Sequence, residues 1–345
     1  FVEAALANGI TPRALCATFI EGLGEDAKGF DPSDLMRPAY AEMARRARAL
    51  PGLVLEAAWD VLRHKPLSRA LERLGPALPT GLLDNEAVHR QLDRLFSQPG
   101  RSNDFRQLQT RLTLVATHLN SGQAAPFGRP GWDHVPISRA VQASSALPGL
   151  YSPVDIRGHH FVDGALRRTM HASVVLDHGI DLMLGVNPFV PFNAKTAGRP
   201  PEGMAKLSEG GLPVVLSQTF RTILQSRMQV GLAKYATQYP NIDQLIFEPN
   251  ARDGEMFFTN AFSFSARARI AQIGYRNTLA DLRRRAETLR PLLAAHGLAL
   301  REDVINDAGR SIFDGLPPAT RDSDATARLR RALDELEQRA SSGMV

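Results

Sequence analysis

The sequence predicts an α/β protein with a mainly parallel sheet between helices and a helical extension at its C-terminus. Two short runs have the length and composition of buried strands: residues 112–117, which are apolar and β-branched, and residues 181–186, which are apolar. Helical patterns alternate with these runs, as in layered α/β domains. Hydrophobic residues make up 43% and charged residues 22% of the 345 residues, a balance that excludes a wholly disordered chain.

Composition also excludes several classes of protein. No run approaches 18 uninterrupted apolar residues, so the sequence predicts no transmembrane helix. Its single cysteine, Cys16, excludes an internal disulfide framework and a cysteine-rich zinc site. The net charge is +5, but the basic residues are scattered among acidic ones, which argues against a nucleic-acid-binding surface.

The first third of the chain reads as helical. Phe1 to Gly9 has a helical pattern that ends at Asn8-Gly9, and a second helix over residues 11–23 begins with Thr11 as its N-cap and Pro12 in its first turn. Residues 32–110 form a block of helices broken by Pro and Gly. Within it the pattern predicts helices at 51–64, 66–74 and 85–97.

The middle of the chain alternates between strand and helix patterns. The strand at 112–117 is followed by a turn and a returning hairpin arm. The pattern then predicts a helix at 136–146, strands at 152–156 and 160–162 on either side of an Arg157-Gly158 turn, a helix at 172–176 and the strand at 181–186.

The remaining residues are predicted to be mostly helical. Residues 193–211 are rich in Gly, Pro and small residues and read as a surface loop. Helices are expected at 213–236 and from residue 265 onward, with a last strand at 245–247. The tail from residue 281 is charge-balanced, which indicates a solvated amphipathic appendage.

The densest chemical signal is an Asp-Gly pair that ends a strand pattern. Phe161-Val162 leads into Asp163-Gly164-Ala165, which would place a carboxylate at the edge of a sheet with a glycine that allows a sharp turn beside it. Taken alone, an Asp-Gly pair is more often a structural turn than a site.

The surrounding residues resemble the patatin-like phospholipase family of bacteria. The resemblance rests on the Ala143-Ser144-Ser145-Ala146-Leu147-Pro148-Gly149 run, the Asp163-Gly164-Ala165 motif and the Asp181 to Pro188 strand, and it covers residues 1–285. It implies a domain over 1–285 with a helical insertion at about 32–110, followed by a helical tail at 286–345.

The resemblance implies a lipid acyl hydrolase with a Ser–Asp dyad. In this family a serine in a Gly-x-Ser-x-Gly turn attacks an ester carbonyl, and the aspartate of the Asp-Gly motif, here Asp163, acts as its base. No Gly-x-Ser-x-Gly and no Gly-rich oxyanion loop is present in the 345 residues. We therefore expect an N-terminally truncated chain, with the nucleophile three or four residues before Phe1, and expect 1–345 alone to be inactive and poorly soluble.

Other candidate residues have weaker signals. Ser144 and Ser145 could replace the nucleophile, but they lie in a predicted helix, and close packing near Asp163 explains them better. Arg167 and Arg168 could hold a lipid phosphate, although a solvated pair of basic residues is the commoner interpretation. The nine histidines show no metal-binding spacing, and adjacent histidines in a strand point to opposite faces.

The sequence thus predicts an enzyme of lipid metabolism that hydrolyses fatty acyl esters without a metal or organic cofactor. We expect a cytoplasmic protein with peripheral membrane contact and no nucleic-acid partner. Two alternatives stay open: a non-catalytic relative that binds lipid or a partner protein, and a carboxylesterase for small soluble esters. Acyl-chain-length preference would separate the esterase from a lipase, since each buried methylene adds about 0.8 kcal/mol.

Overall fold

A computed structural model describes residues 1–22, 36–63, 66–193, 206–250, 254–258 and 264–316. The described residues divide into two compact units. The first holds those within Phe1–Ile10 and Asp31–Arg167, and the second holds those within Thr11–Phe30 and Arg168–Val345. The predicted domain boundary near residue 285 stays a prediction.

Helices account for most of the described secondary structure. They are α1 (Val2–Ala7), α2 (Pro12–Leu15), α3 (Tyr40–Leu62), α4 (Leu67–Leu74), α5 (Glu86–Phe96), α6 (Ile137–Ser144), α7 (Ser173–Leu176), α8 (Gly211–Gln238), α9 (Gly254–Phe258), α10 (Phe264–Arg284), α11 (Ala286–Ala295) and α12 (Glu302–Ile305).

The strands among the described residues form three small sheets. They are β1 (Gly81–Leu83), β2 (Leu114–His118), β3 (Ala124–Phe127), β4 (Gly149–Tyr151), β5 (Val154–Ile156), β6 (His159–Asp163), β7 (Leu182–Val186) and β8 (Asp243–Phe247). The mixed α/β class and the helical C-terminal region are confirmed.

Pairing in these sheets is partly parallel and partly antiparallel. The pairs β1–β4 and β7–β8 are parallel, whereas the four-stranded sheet, in the order β3-β2-β6-β5, is antiparallel throughout. The predicted parallel pairing thus occurs in two of the three described sheets, and the largest sheet differs from it. Short connections account for two of its pairs, β2–β3 and β5–β6, because a tight hairpin can join only antiparallel neighbours.

The Arg157-Gly158 turn shows how sequence sets one of these pairings. Both residues have positive φ, 53° and 81°, which matches the backbone twist of a two-residue hairpin. Ile156 pairs directly with His159, and the Gly158 N–H donates to Asp155 Oδ1 at 2.8 Å. The predicted turn is confirmed, and it brings β6 back along β5.

Aromatic and small side chains form the core around β2 and β6. Phe127, Trp132 and Phe161 pack edge to face in a cluster, with ring centroids 5.4 to 5.6 Å apart. α6 packs on β2 and β6 through a face of fully buried residues that includes Ile137, Ala140 and Ala143. This packing holds the end of β6 in place against α6.

In the second unit, β7 and β8 lie against α7 and α8. Ala172, Leu176, Met183 and Tyr235 form its buried cluster. Further along the chain, α10, α11 and α12 share a second cluster that contains Leu279, Ala286 and Ile305.

Some local features differ from the predictions, and some predictions concern residues that the structure does not describe. Pro51 does not begin or break a helix but lies inside α3, which runs on both sides of it. The short strands β1 and β4 were not predicted. Most of the predicted loop at 193–211, and the tail beyond residue 316, lie outside the described residues.

Candidate active site

Asp163 is the last residue of β6 and is fixed by its backbone. Its N–H donates to the Ala146 carbonyl at 3.0 Å, and its own carbonyl accepts from Thr117 Oγ1 at 3.1 Å. Asp163 also stands opposite Ala116 of β2 in the ladder. Contacts to β2 and to the end of α6 therefore set the position of its side chain.

The Asp163 carboxylate is engaged on one oxygen. Oδ1 accepts from the Ala165 N–H at 2.8 Å and so caps the single helical turn Gly164–Leu166. Within the described part of the chain, this N–H is the one hydrogen-bond donor found for the carboxylate. Oδ2 is thus left for another donor, such as the hydroxyl of a nucleophile.

Burial changes the acidity of this group. Asp163 is half-buried, and desolvation raises the pKa of its carboxyl above the ordinary value, while the hydrogen bond from Ala165 partly offsets the rise. A carboxylate with a raised pKa is a better proton acceptor at neutral pH than a free aspartate. The Asp163 carboxylate is therefore able to take up a proton more readily than a free aspartate.

Gly164 is required by close packing and not by its backbone angles. A Cβ at this position would lie 2.2 Å from the Val115 carbonyl oxygen and 2.9 Å from the carbonyl carbon. The same Val115 oxygen accepts from Ser144 Oγ at 2.8 Å. One carbonyl of β2 thus contacts both the Asp-Gly turn and α6, which explains two of the predicted motif residues.

Neither motif serine is presented as a nucleophile. Ser144 Oγ donates to Val115, and Ser145 Oγ lies within 2.9 Å of the Val141 carbonyl and 3.2 Å of the Gln142 carbonyl. These bonds tie α6 to β2 and close the C-terminal end of α6. The packing interpretation of the two serines fits this geometry.

The two arginines after the motif are exposed and lightly held. Arg167 donates to the Gly122 carbonyl at 3.2 Å, and Arg168 donates to Ser173 Oγ at the same distance. The Asp177 carboxylate, which follows them closely in sequence, accepts a hydrogen bond from the Tyr239 hydroxyl. Both guanidinium groups therefore lie at the surface.

The described histidines and acidic residues do not gather into a metal site. No group of three or more His, Cys, Asp or Glu side chains that could hold a metal ion occurs in the described ranges. His118 contacts His159 and Ser121 instead, at 3.2 and 2.9 Å. Among the same residues, no helix combines the length and apolar character needed to cross a membrane.

Comparison with known protein families agrees with the motif and its geometry. A sequence model described as patatin-like phospholipase matches residues 2–176, just over half of the chain. The matched region contains β2, α6, β6 and the Asp163-Gly164-Ala165 turn. The chain therefore belongs to the patatin-like phospholipase family.

Proposed function

We propose that this protein is a lipid acyl hydrolase that works through an acyl-enzyme, with Asp163 as the base of a Ser–Asp dyad. Family membership supports ester hydrolysis on lipid substrates in general. The observation that carries the finer proposal is the half-buried Asp163 carboxylate, with its raised pKa and one oxygen without a described donor.

The proposed nucleophile is a serine outside the 345 residues. No Gly-x-Ser-x-Gly occurs in the sequence, and the hydroxyls of Ser144 and Ser145 are hydrogen-bonded to backbone carbonyls. We place the nucleophile in a part of the full-length protein outside these residues. On this account residues 1–345 alone do not turn over esters, because the covalent route needs that hydroxyl.

The proposed reaction needs no other base. Asp163 Oδ2 accepts the serine proton while the serine oxygen bonds to the ester carbonyl, and the proton then passes to the leaving alcohol. Asp163 next removes a proton from water, whose oxygen attacks the acyl-enzyme. The bond between the acyl carbon and the serine oxygen breaks, Asp163 returns the proton to that oxygen, and the released acid loses its own proton to solvent. The Ala165 N–H holds Oδ1 throughout and so keeps the carboxylate oriented.

Arg167 and Arg168 are proposed as surface contacts for an anionic headgroup. A guanidinium presents a planar fork that pairs with phosphate oxygens. Because both side chains are exposed, each contact is expected to change substrate affinity modestly and to weaken with added salt. KM measured on anionic and neutral lipid esters, with Arg167→Gln and Arg168→Gln, tests this role.

Contact with a membrane surface is proposed for one face of α3. Leu55, Trp59 and Leu62 recur at helical spacing, and each side chain is more than half exposed. The Arg63 guanidinium lies over the Trp59 ring, 5.0 Å from its centroid. An indole and two leucines beside a basic side chain are typical of a helix that lies in a lipid interface.

Vesicle sedimentation checks this face. The double variant Trp59→Ala, Leu62→Ala is expected to bind anionic vesicles at least tenfold more weakly, because it removes most of the exposed apolar area. Leu78→Ala is the matched control, since Leu78 is equally exposed but lies outside α3. Equal vesicle binding by all three proteins would exclude α3 as the contact.

Hydrolysis itself is tested on the full-length protein with esters of increasing acyl length. The proposal predicts turnover that rises with chain length and is lost in Asp163→Asn. Turnover confined to short soluble esters would instead support a carboxylesterase. Saturable lipid binding without turnover would support a non-catalytic relative and would overturn the dyad.

A further inference from the structure

A cavity with one half-buried cation lies wholly within the second unit, where β7 and β8 end. Its volume is about 130 Å³, and its walls include Pro188, Phe192, Pro249, Met256 and Phe257, with Arg221 of α8 as the charged group. Residues just after β7 and β8 contribute to it. In parallel sheets, ligands bind in crevices at the carboxyl ends of the strands.

The wall after β7 is firmly attached to α8. Gln218 holds the backbone of Phe192 at two points: its Nε2 donates to the carbonyl at 2.8 Å, and its Oε1 accepts from the N–H at 3.0 Å. At the start of the same segment, the Asn187 side chain donates to Gln225 and Glu248. The cavity is therefore pre-formed, which reduces the entropy cost of binding.

Arg221 has few strong partners inside this wall. It donates to the Pro188 and Val190 carbonyls at 3.4 Å, a long distance for hydrogen bonds, and its guanidinium carbon lies 5.0 Å from the centroid of Phe257. No carboxylate of the described residues lies within ion-pair distance of it. The nearby Glu248 carboxylate instead accepts from Asn187 and Gln225.

A cation in such surroundings carries an energetic cost. Desolvation lowers the pKa of Arg221 below its ordinary value. Apolar walls do not offset the free-energy cost of desolvating the guanidinium, whereas an anion that enters the cavity does. Apart from Arg221 and Asn250, the lining residues are aromatic, aliphatic or proline, which favours an apolar group next to the anion.

We propose that this cavity binds a monocarboxylate that carries a short apolar chain, with Arg221 pairing with the carboxylate. The guanidinium fork matches the two oxygens of a carboxylate. An apolar cavity of about 150 Å³ is known to take a molecule of six carbon atoms, so this cavity suits a chain of about that length. The inference does not depend on Asp163 or on hydrolysis.

Titration calorimetry of the protein with sodium hexanoate at pH 7 tests the proposal. Saturable binding is expected, weakened about ten- to a hundredfold by Arg221→Gln, because one charged hydrogen-bonding group is lost. Arg221→Lys keeps the charge but loses the fork and should fall between the two. Arg227→Gln is the matched control, since Arg227 is exposed on the same helix and is not part of the lining.

A second set of binding measurements varies the ligand instead of the protein. Binding should weaken about fourfold for each methylene removed from hexanoate to butyrate, and hexan-1-ol should bind far more weakly than hexanoate. Thermal melts of each variant check that it is folded. Equal hexanoate affinity in Arg221→Gln, or competition by inorganic phosphate as strong as that by hexanoate, would overturn the carboxylate site.

Discussion

At the scale of single residues, the Asp163 carboxylate combines partial burial with one backbone N–H donor. Burial raises its pKa, so the charged form is disfavoured in the fold relative to the unfolded chain. The cost is absent below the unfolded pKa of about 4 and reaches its full size as pH rises through the folded pKa. A residue of this kind lowers the free energy of unfolding at neutral pH, as functional groups often do.

Asp163→Asn is therefore expected to raise the free energy of unfolding at pH 7. Its amide oxygen can still accept from Ala165, while the buried charge is gone. The gain should shrink toward zero at pH 3, where aspartate is protonated in both states. Urea unfolding at both pH values measures it, and a loss of stability at pH 7 would contradict the burial argument.

The same pKa shift sets the acidic side of the activity profile. If Asp163 is the base, kcat/KM of the full-length enzyme should fall as pH decreases through an apparent pKa above 3.9, the ordinary aspartate value. Rates with a neutral ester between pH 3 and pH 8 check this. An acidic limb at or below the ordinary value would show that the base is another group.

Gly164→Ala tests the close approach to β2. The added methyl would lie 2.2 Å from the Val115 oxygen, so β2 and β6 must separate. We expect a loss of about 1–3 kcal/mol in unfolding free energy, typical of overpacking. Gly231→Ala in α8 is the control, because nothing lies within 4 Å of a Cβ there and the change should stabilise by about 0.5–1 kcal/mol. Similar effects at both positions would count against the packing explanation.

At the scale of elements, Ser144 connects α6 to β2. Ser144→Ala removes its hydrogen bond to the Val115 carbonyl, so we expect a loss of about 0.5–1.5 kcal/mol in unfolding free energy. Ester hydrolysis by the full-length protein should continue, because the hydroxyl is not the nucleophile in this account. Complete loss of activity in a variant that still folds would restore Ser144 as a candidate.

Elements with a strong local signal were predictable from the sequence. The Thr11 cap with Pro12 is confirmed, since Thr11 Oγ1 accepts from the Ala14 N–H, and so is the Arg157-Gly158 turn. Asp163 could be found because its motif is local and the family resemblance gave it a role. Its role as a base stays a prediction.

Features set by distant contacts could not be predicted. The β1–β4 pair depends on Gly81, where a Cβ would lie 2.1 Å from the Ser152 nitrogen, and no local pattern reports that approach. A helix was predicted to begin at Pro51, because proline has the poorest helix propensity. In the structure, good helix formers on both sides of Pro51 keep α3 intact. Arg221 was missed because its cavity combines segments that are far apart in sequence.

At the scale of the whole molecule, one face of β7 is left exposed. Its run Leu182 to Val186 is apolar throughout, which is typical of a strand covered on both faces. Met183 and Gly185 are buried, yet Leu184 and Val186 on the other face are 57% and 73% exposed. Within the described part of the chain, β7 also pairs only with β8, so one edge of it has no strand partner.

Residues 1–345 expressed alone are therefore expected to self-associate, because an open strand edge beside exposed apolar side chains promotes association. Gel filtration with light scattering measures this. The double variant Leu184→Thr, Val186→Thr replaces two exposed apolar side chains with polar ones. It should therefore reduce association, while the β-branched threonines still suit a strand. A monodisperse parent chain that melts cooperatively would argue against the expectation.

The central claim is that Asp163 is the base of an acyl hydrolase, and one rate comparison tests it most directly. Hydrolysis of a long-chain fatty acyl ester is measured for the full-length protein, Asp163→Asn and Asp155→Asn. Asp155 is the matched control, since its Oδ1 also accepts from a turn N–H but its side chain is exposed. We predict that Asp163→Asn lowers kcat about 10²- to 10⁴-fold, while Asp155→Asn leaves it unchanged; wild-type kcat in a folded Asp163→Asn protein would contradict the account.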